Sequence, residues 1–211
     1  GDITCIQQVF CELSSLRLSI ASFLTFALYH LMDPFITVWL GEEYILPRSV
    51  LIVILTNFFI SQFRGTNDQF IFGYGLFHDT WAPVATLAIT VAVALAGGYL
   101  WGLPGVLLGD IASSITVISV WKPYFLYKEG FKMSVKSYWK NIFRYLLLAV
   151  LAWGLTDAVL CFLPLAEPSR GYGMWIVYAL VSSLVFLLIL CSSFYCCSAG
   201  MRSLVRRLRR K

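Results

Sequence analysis

Six apolar stretches, each near twenty residues long, dominate this chain. They run Leu18–Leu40, Pro47–Phe63, Ala82–Trp101, Pro104–Trp121, Phe143–Leu163 and Met174–Cys197. A hydrocarbon core of about 30 Å needs about 20 apolar residues to be crossed as a helix. Within lipid every backbone polar group must find its partner inside the segment, which favours helices over open strands. The fold class expected is therefore all-α: a polytopic membrane helix bundle of about six transmembrane helices. Composition agrees, because 59% of the 211 residues are hydrophobic and only 13% are charged. A soluble domain carries about 25% charged residues. Residues 1–16 read as a cytoplasmic lead-in, residues 17–197 as the transmembrane lobe, and residues 198–211 as a basic cytoplasmic tail.

Local signals refine the spans. Asp33-Pro34 predicts a kink or an early stop in the first. The second is expected to continue beyond Phe63. Gly102-Leu103 alone joins the third and fourth, which predicts a tight antiparallel hairpin, and Gly105, Gly109 and Ser113 give the fourth a small face for close packing. Pro104 suits a first helical turn. A Pro- and Gly-containing run, Pro164 to Gly173, separates the last two.

Loop charge sets the orientation. The fourth-to-fifth connection carries Lys122, Lys128, Lys132, Lys136, Lys140 and Arg144, and the tail carries Arg202, Arg206, Arg207, Arg209, Arg210 and Lys211. Cytoplasmic loops are enriched in Lys and Arg, so both segments are placed inside. The other connections carry little basic excess. An even number of spans then leaves both termini cytoplasmic. Trp39, Trp81, Trp101, Trp121 and Trp175 fall at expected helix ends, where interfacial anchors belong. The net charge of +5 thus reads as topology, and no nucleic-acid partner is expected.

The same residues speak against catalysis. There is no Gly-rich phosphate loop, nucleophile elbow or metal-binding His cluster, so no enzyme activity, metal or cofactor is expected. The cysteines at 5, 11, 161, 191, 196 and 197 lack paired ligand spacing, and several lie in or beside apolar helices, which argues against a disulfide framework. Residues 1–16 show no signal peptide, and the start at Gly1 leads to the expectation that sequence upstream has been removed.

A charge in a span costs about 3 kcal/mol at the membrane centre, so such residues are functional candidates. Arg64 offers a fork of donors suited to phosphate oxygens, against a snorkelling anchor as the plainer account. Asn57 and Asn67 flank it on the same helix and join it as candidate substrate-binding residues. Asp110 suits ion or proton coupling, against a hydrogen bond to a neighbouring helix. Asp157 has a weaker claim. His30 beside Asp33 reads as an interfacial polar pair before a proton relay, and His78-Asp79 as a solvated loop pair before a catalytic dyad. The tail alternates Met201, Leu204, Val205 and Leu208 with arginines, a pattern that suits an anionic leaflet or a plain inside-facing tail. Cys196-Cys197 beside it reads as two small residues at a helix end before an acylation site.

Four runs in order carry a resemblance. They are Asp33-Pro34-Phe35-Ile36-Thr37-Val38-Trp39-Leu40-Gly41-Glu42-Glu43-Tyr44, then Gly75-Leu76-Phe77 with Trp81-Ala82-Pro83, then Leu103-Pro104-Gly105-Val106-Leu107-Leu108-Gly109, and Lys122-Pro123-Tyr124-Phe125-Leu126-Tyr127-Lys128-Glu129-Gly130-Phe131. Together they resemble the bacterial polysaccharide flippases (O-antigen, capsule or teichoic type) of the multidrug/oligosaccharidyl-lipid/polysaccharide exporter superfamily. Asp110 departs from the pattern, standing where a small or hydroxyl residue is expected. The resemblance implies a C-terminal lobe with its N-terminal lobe missing. It implies movement of polyprenyl-pyrophosphate-linked oligosaccharide across the bacterial inner membrane by alternating access. Its partners would be that lipid-linked oligosaccharide, the lipid bilayer and the missing lobe. The competing readings are an ion-coupled drug exporter of the same superfamily, a non-transporting membrane scaffold of a cell-envelope polymer assembly, and, least supported, a membrane-bound transferase.

Overall fold

The computed structural model describes residues 3–76, 80–163 and 168–209, and among them it is helical throughout with no strand. The helices are α1 (Ile3–Trp39), α2 (Arg48–Gly73), α3 (Trp81–Trp101), α4 (Leu103–Gly130), α5 (Lys136–Phe162), α6 (Tyr172–Cys197) and α7 (Ala199–Arg209). Short 3₁₀ turns at Glu42–Tyr44 and Pro168–Arg170 lie in the connections. The first six helices are each long and apolar enough to cross a membrane.

Two elements, α1 and α4, run past their expected limits. α1 begins at Ile3 rather than near Leu18, so the expected lead-in is helical and continuous with the first span. Phe10, Glu12, Ser14, Ser15 and Leu18 are buried there, and that packing sustains a helix the local polarity disguises. α1 also passes through Pro34 to Trp39 instead of stopping. The Thr37 hydroxyl donates to the Asp33 carbonyl at 2.9 Å beside the proline, the kind of side-chain bond by which a membrane helix tolerates it. α4 continues beyond Trp121 to Gly130, so Trp121 is interior and Lys122 belongs to the helix. Pro123, Phe125, Leu126 and Tyr127 are buried and hold this extension. Hydrogen bonding in α4 widens to the five-residue π pattern at Ser114–Trp121 and again at Leu126–Gly130.

The α3–α4 hairpin forms as expected. Gly102 turns the chain at φ +64, a left-handed conformation that glycine adopts without a steric cost. A Cβ on Gly97 or Gly105 would strike the other's backbone, so the two helices touch main chain to main chain. The Thr90 hydroxyl donates to Ser113 Oγ at 2.7 Å lower in the same seam. α4 thereby gives its small face to α3 and leaves another face to α2.

An aromatic cluster closes one end of the bundle. Phe10 of α1 packs edge-on to Phe70 of α2 at 5.0 Å and to Phe131, just after α4, at 5.5 Å, with Tyr138 of α5 at 6.1 Å. Tyr145 of α5 stacks on Phe194 of α6 at 5.7 Å. α7 lies against α1 at this end, so the basic 122–144 segment and the basic tail share one end of the molecule. At the other end Trp175 Nε1 donates to the Leu31 carbonyl at 3.1 Å, and Arg48 Nη2 donates to the Tyr29 hydroxyl at 2.5 Å.

Candidate functional site

α2 presents Asn57, Ser61, Arg64 and Asp68 at spacings of four, three and four residues. Such spacings place side chains on one face of a helix. That face turns toward α4, which supplies Asp110 and Lys122. The result is a polar stripe on an otherwise apolar bundle, bordered by two open grooves.

The first groove, of about 300 Å³, is lined by Val53, Ile54, Asn57, Phe58, Ser61, Leu107 and Asp110. Asn57 Nδ2 donates to Asp110 Oδ2 at 2.6 Å, so these two candidates meet as a pair between α2 and α4. Asp110 is nonetheless exposed along this groove. The second groove, of about 320 Å³, lies nearer the aromatic end and is lined by Arg64, Ala82, Pro83, Thr86, Leu87, Thr90, Ile118 and Lys122. Here Arg64 Nε donates to Asp68 Oδ2 at 3.0 Å, and Lys122 Nζ donates to Asp68 Oδ1. One carboxylate thus faces two cations, leaving a single positive excess. Arg64 is 54% exposed and its guanidinium is reachable from outside, whereas Asp68 and Lys122 are each 19% exposed. An oriented guanidinium with a nearby ammonium suits a phosphate or carboxylate oxygen.

Lys122 and Asp110 stand about 18 Å apart along α4 at 1.5 Å per residue. The stripe is therefore polarised, positive near the aromatic end and negative toward the middle. Each groove also has an apolar border, Leu107 and Val53 in one and Ile118 and Leu87 in the other.

Asn67 does not join this stripe. It is 1% exposed, and its Nδ2 donates to the Tyr138 hydroxyl of α5 at 3.2 Å. Three residues beyond Arg64, it sits on the side of α2 that turns into the bundle, and it lines only a crevice of about 10 Å³ with Ser14, Arg17 and Thr66. The structure thus groups Asn57 with Asp110 and Arg64 with Lys122, and places Asn67 in the interior.

Two candidates outside the stripe meet each other. His30 Nε2 lies 3.1 Å from Asp157 Oδ1 of α5, where the sequence expects Asp33 as its neighbour. α1 and α5 cross there, and nothing local to either helix signals the contact. His78-Asp79 falls outside the described residues. Asp68 joins the site unannounced, although its four-residue spacing from Arg64 is a standard ion-pair signal. Lys122, expected in a loop, lies within α4, and Thr86 and Thr90 line the second groove with no sequence signal of their own.

A third recess, of about 270 Å³, opens between α1, α2 and α5 and is almost wholly apolar, with Ile52, Leu55, Phe59, Leu146, Val150 and Trp153 among its walls. Ser22, Thr25, Tyr29 and Thr56 also line it, but its open surface is hydrocarbon in character and carries no charge.

No protein-family model, no curated protein and no solved structure matches this chain.

Proposed function

We propose that this chain is one helical lobe of a transporter that moves polyprenyl-pyrophosphate-linked oligosaccharide across the bacterial inner membrane by alternating access. Both termini lie in the cytoplasm in this reading. The observation that carries it is the α2–α4 polar stripe. Charged side chains within membrane spans face a bundle interior or a water-filled cavity, because lipid exposure is costly. The stripe is open on this lobe, so it serves as one wall of a polar pathway, and a second lobe supplies the other. Transporters built from two repeats bind substrate at the repeat interface. Arg64, with Lys122 behind it, meets the pyrophosphate near the cytoplasmic mouth. Basic loop charge and the four sequence motifs support the orientation and the substrate class.

The test is export by the full-length protein in its host. Arg64→Ala should lower export of the lipid-linked oligosaccharide about tenfold, the loss of one charge-assisted hydrogen bond, while membrane insertion stays normal. Wild-type export with normal insertion overturns the role of Arg64. A second reading has its own observation: Asp110 is exposed in its groove and would face a cation, as in an ion-coupled drug exporter. In that case Asp110→Asn abolishes efflux of a cationic dye and Arg64→Ala does not.

A further inference from the structure

We propose that α7 is a docking surface for the anionic phospholipid headgroups of the leaflet beside it. This inference is independent of what the lobe transports. α7 begins two residues after α6 ends, with Ser198 alone between them, so the chain has no slack to leave the bundle. Ser198 turns the corner and is fully buried. Its hydroxyl accepts the Met201 N–H at 3.2 Å, capping α7, and donates to the Tyr145 hydroxyl at 3.4 Å.

One face of α7 is committed to α1. Gly200 and Arg207 are seven residues apart and therefore on the same side. A Cβ on Gly200 would stand 2.7 Å from the Cys11 carbonyl oxygen. Arg207 Nη1 lies 3.3 Å from Glu12 Oε2, and the Glu12 side chain is only 2% exposed. The depth of this contact follows from the length of α1. Its 37 residues span about 55 Å, against a hydrocarbon core of about 30 Å. With Trp39 in the interface about 5 Å outside the core, the core ends about 23 residues back, near Leu16, and Cys11 and Glu12 lie about 6–8 Å further, at the outer edge of the headgroup layer.

The opposite face is open. It carries Arg202, Val205 and Arg206, all exposed, with Arg202 Nε also donating to the Ser198 carbonyl at 3.4 Å. Two guanidinium forks stand one turn apart beside one apolar side chain, at the outer edge of the headgroup layer. Arginine forks bind phosphate oxygens in a bidentate manner, and at this depth the phosphates within their reach are those of the headgroups. The depth of α7 puts lipid phosphates closest to both forks, so a leaflet rich in phosphatidylglycerol is the occupant that fits this face.

The experiment uses the purified full-length protein in mixed phosphatidylglycerol–phosphatidylcholine nanodiscs, with the annular lipid ratio read by native mass spectrometry. Wild type should enrich phosphatidylglycerol. The double variant Arg202→Gln/Arg206→Gln should lose about 25-fold of that preference, at about fivefold per basic residue. Arg202→Lys/Arg206→Lys keeps the charge and loses the forks, so its preference should fall between wild type and the glutamine variant. Lys128→Gln/Lys140→Gln, which removes equal charge from the neighbouring basic segment, should leave it nearly unchanged. Absence of enrichment in wild type, or equal loss in both glutamine variants, overturns the proposal. Displacement of the lipid by millimolar inorganic phosphate also overturns it, because that result marks a small-anion site instead of a leaflet surface.

Discussion

Glu12 shares its carboxylate between Gln8, whose Nε2 donates to Oε1 at 3.0 Å, and Arg207 of α7. Removing either charge has unequal consequences. Arg207→Ala leaves a buried carboxylate with only one neutral donor, whereas Glu12→Gln leaves an arginine that is already 45% exposed and can turn to water. Arg207→Ala is therefore expected to destabilise the docked α7 more than Glu12→Gln does, by about 2 kcal/mol. Hydrogen exchange of the α7 amides measures this, and equal effects would contradict the assignment of Glu12 as the buried partner. The legibility of such residues in the sequence depends on where they lie. Asn57, Arg64 and Asp110 stand out because a polar residue inside an apolar stretch calls for a reason. Glu12 and Arg17 escape notice because the polar residues around them, Gln7, Gln8 and Ser14, make that stretch read as a lead-in. The Asp68–Lys122 pair is invisible for a different reason: its partners are 54 residues apart and meet only once α2 lies beside α4.

At the level of elements, the α3–α4 hairpin depends on backbone contact at Gly97 and Gly105. Gly105→Ala places a methyl where the Gly97 carbonyl lies, and the helices must separate to admit it. The expected cost is about 1–3 kcal/mol, as for other overpacked seams. Thermal unfolding in detergent should show it, and Gly154→Ala, inside α5 where a Cβ meets nothing within 4 Å, should be neutral to stabilising by up to about 1 kcal/mol. Equal stability of the two variants would contradict the close seam. This hairpin is readable from sequence, since a two-residue Gly-containing link and a small-residue face are local facts. The ends of α1 and α4 are not. Apolarity falls at Lys122, yet α4 continues to Gly130 because Phe125, Leu126 and Tyr127 enter the aromatic cluster. That burial depends on Phe10 and Tyr138, which arrive from distant parts of the chain.

For the whole molecule, six apolar helices fix the class, and loop charge agrees with the fold in bringing both basic segments to one end. What pattern alone does not reveal is that α2 and α4 align their polar residues into one stripe, because that requires the rotation of both helices. The central claim is that this stripe borders water within the membrane while the rest of the surface meets lipid. Ser61 on the stripe and Leu184 on α6 lie near the middle of their helices, and both are exposed on this lobe. The most direct measurement places single cysteines at these two positions in the full-length protein, in a background lacking the native cysteines. Each is then treated in intact membranes with a membrane-impermeant thiol reagent. Ser61→Cys should be labelled and Leu184→Cys should be protected. Protection of both would show that the stripe is sealed and no pathway runs along it, and labelling of both would contradict the membrane-embedded bundle itself.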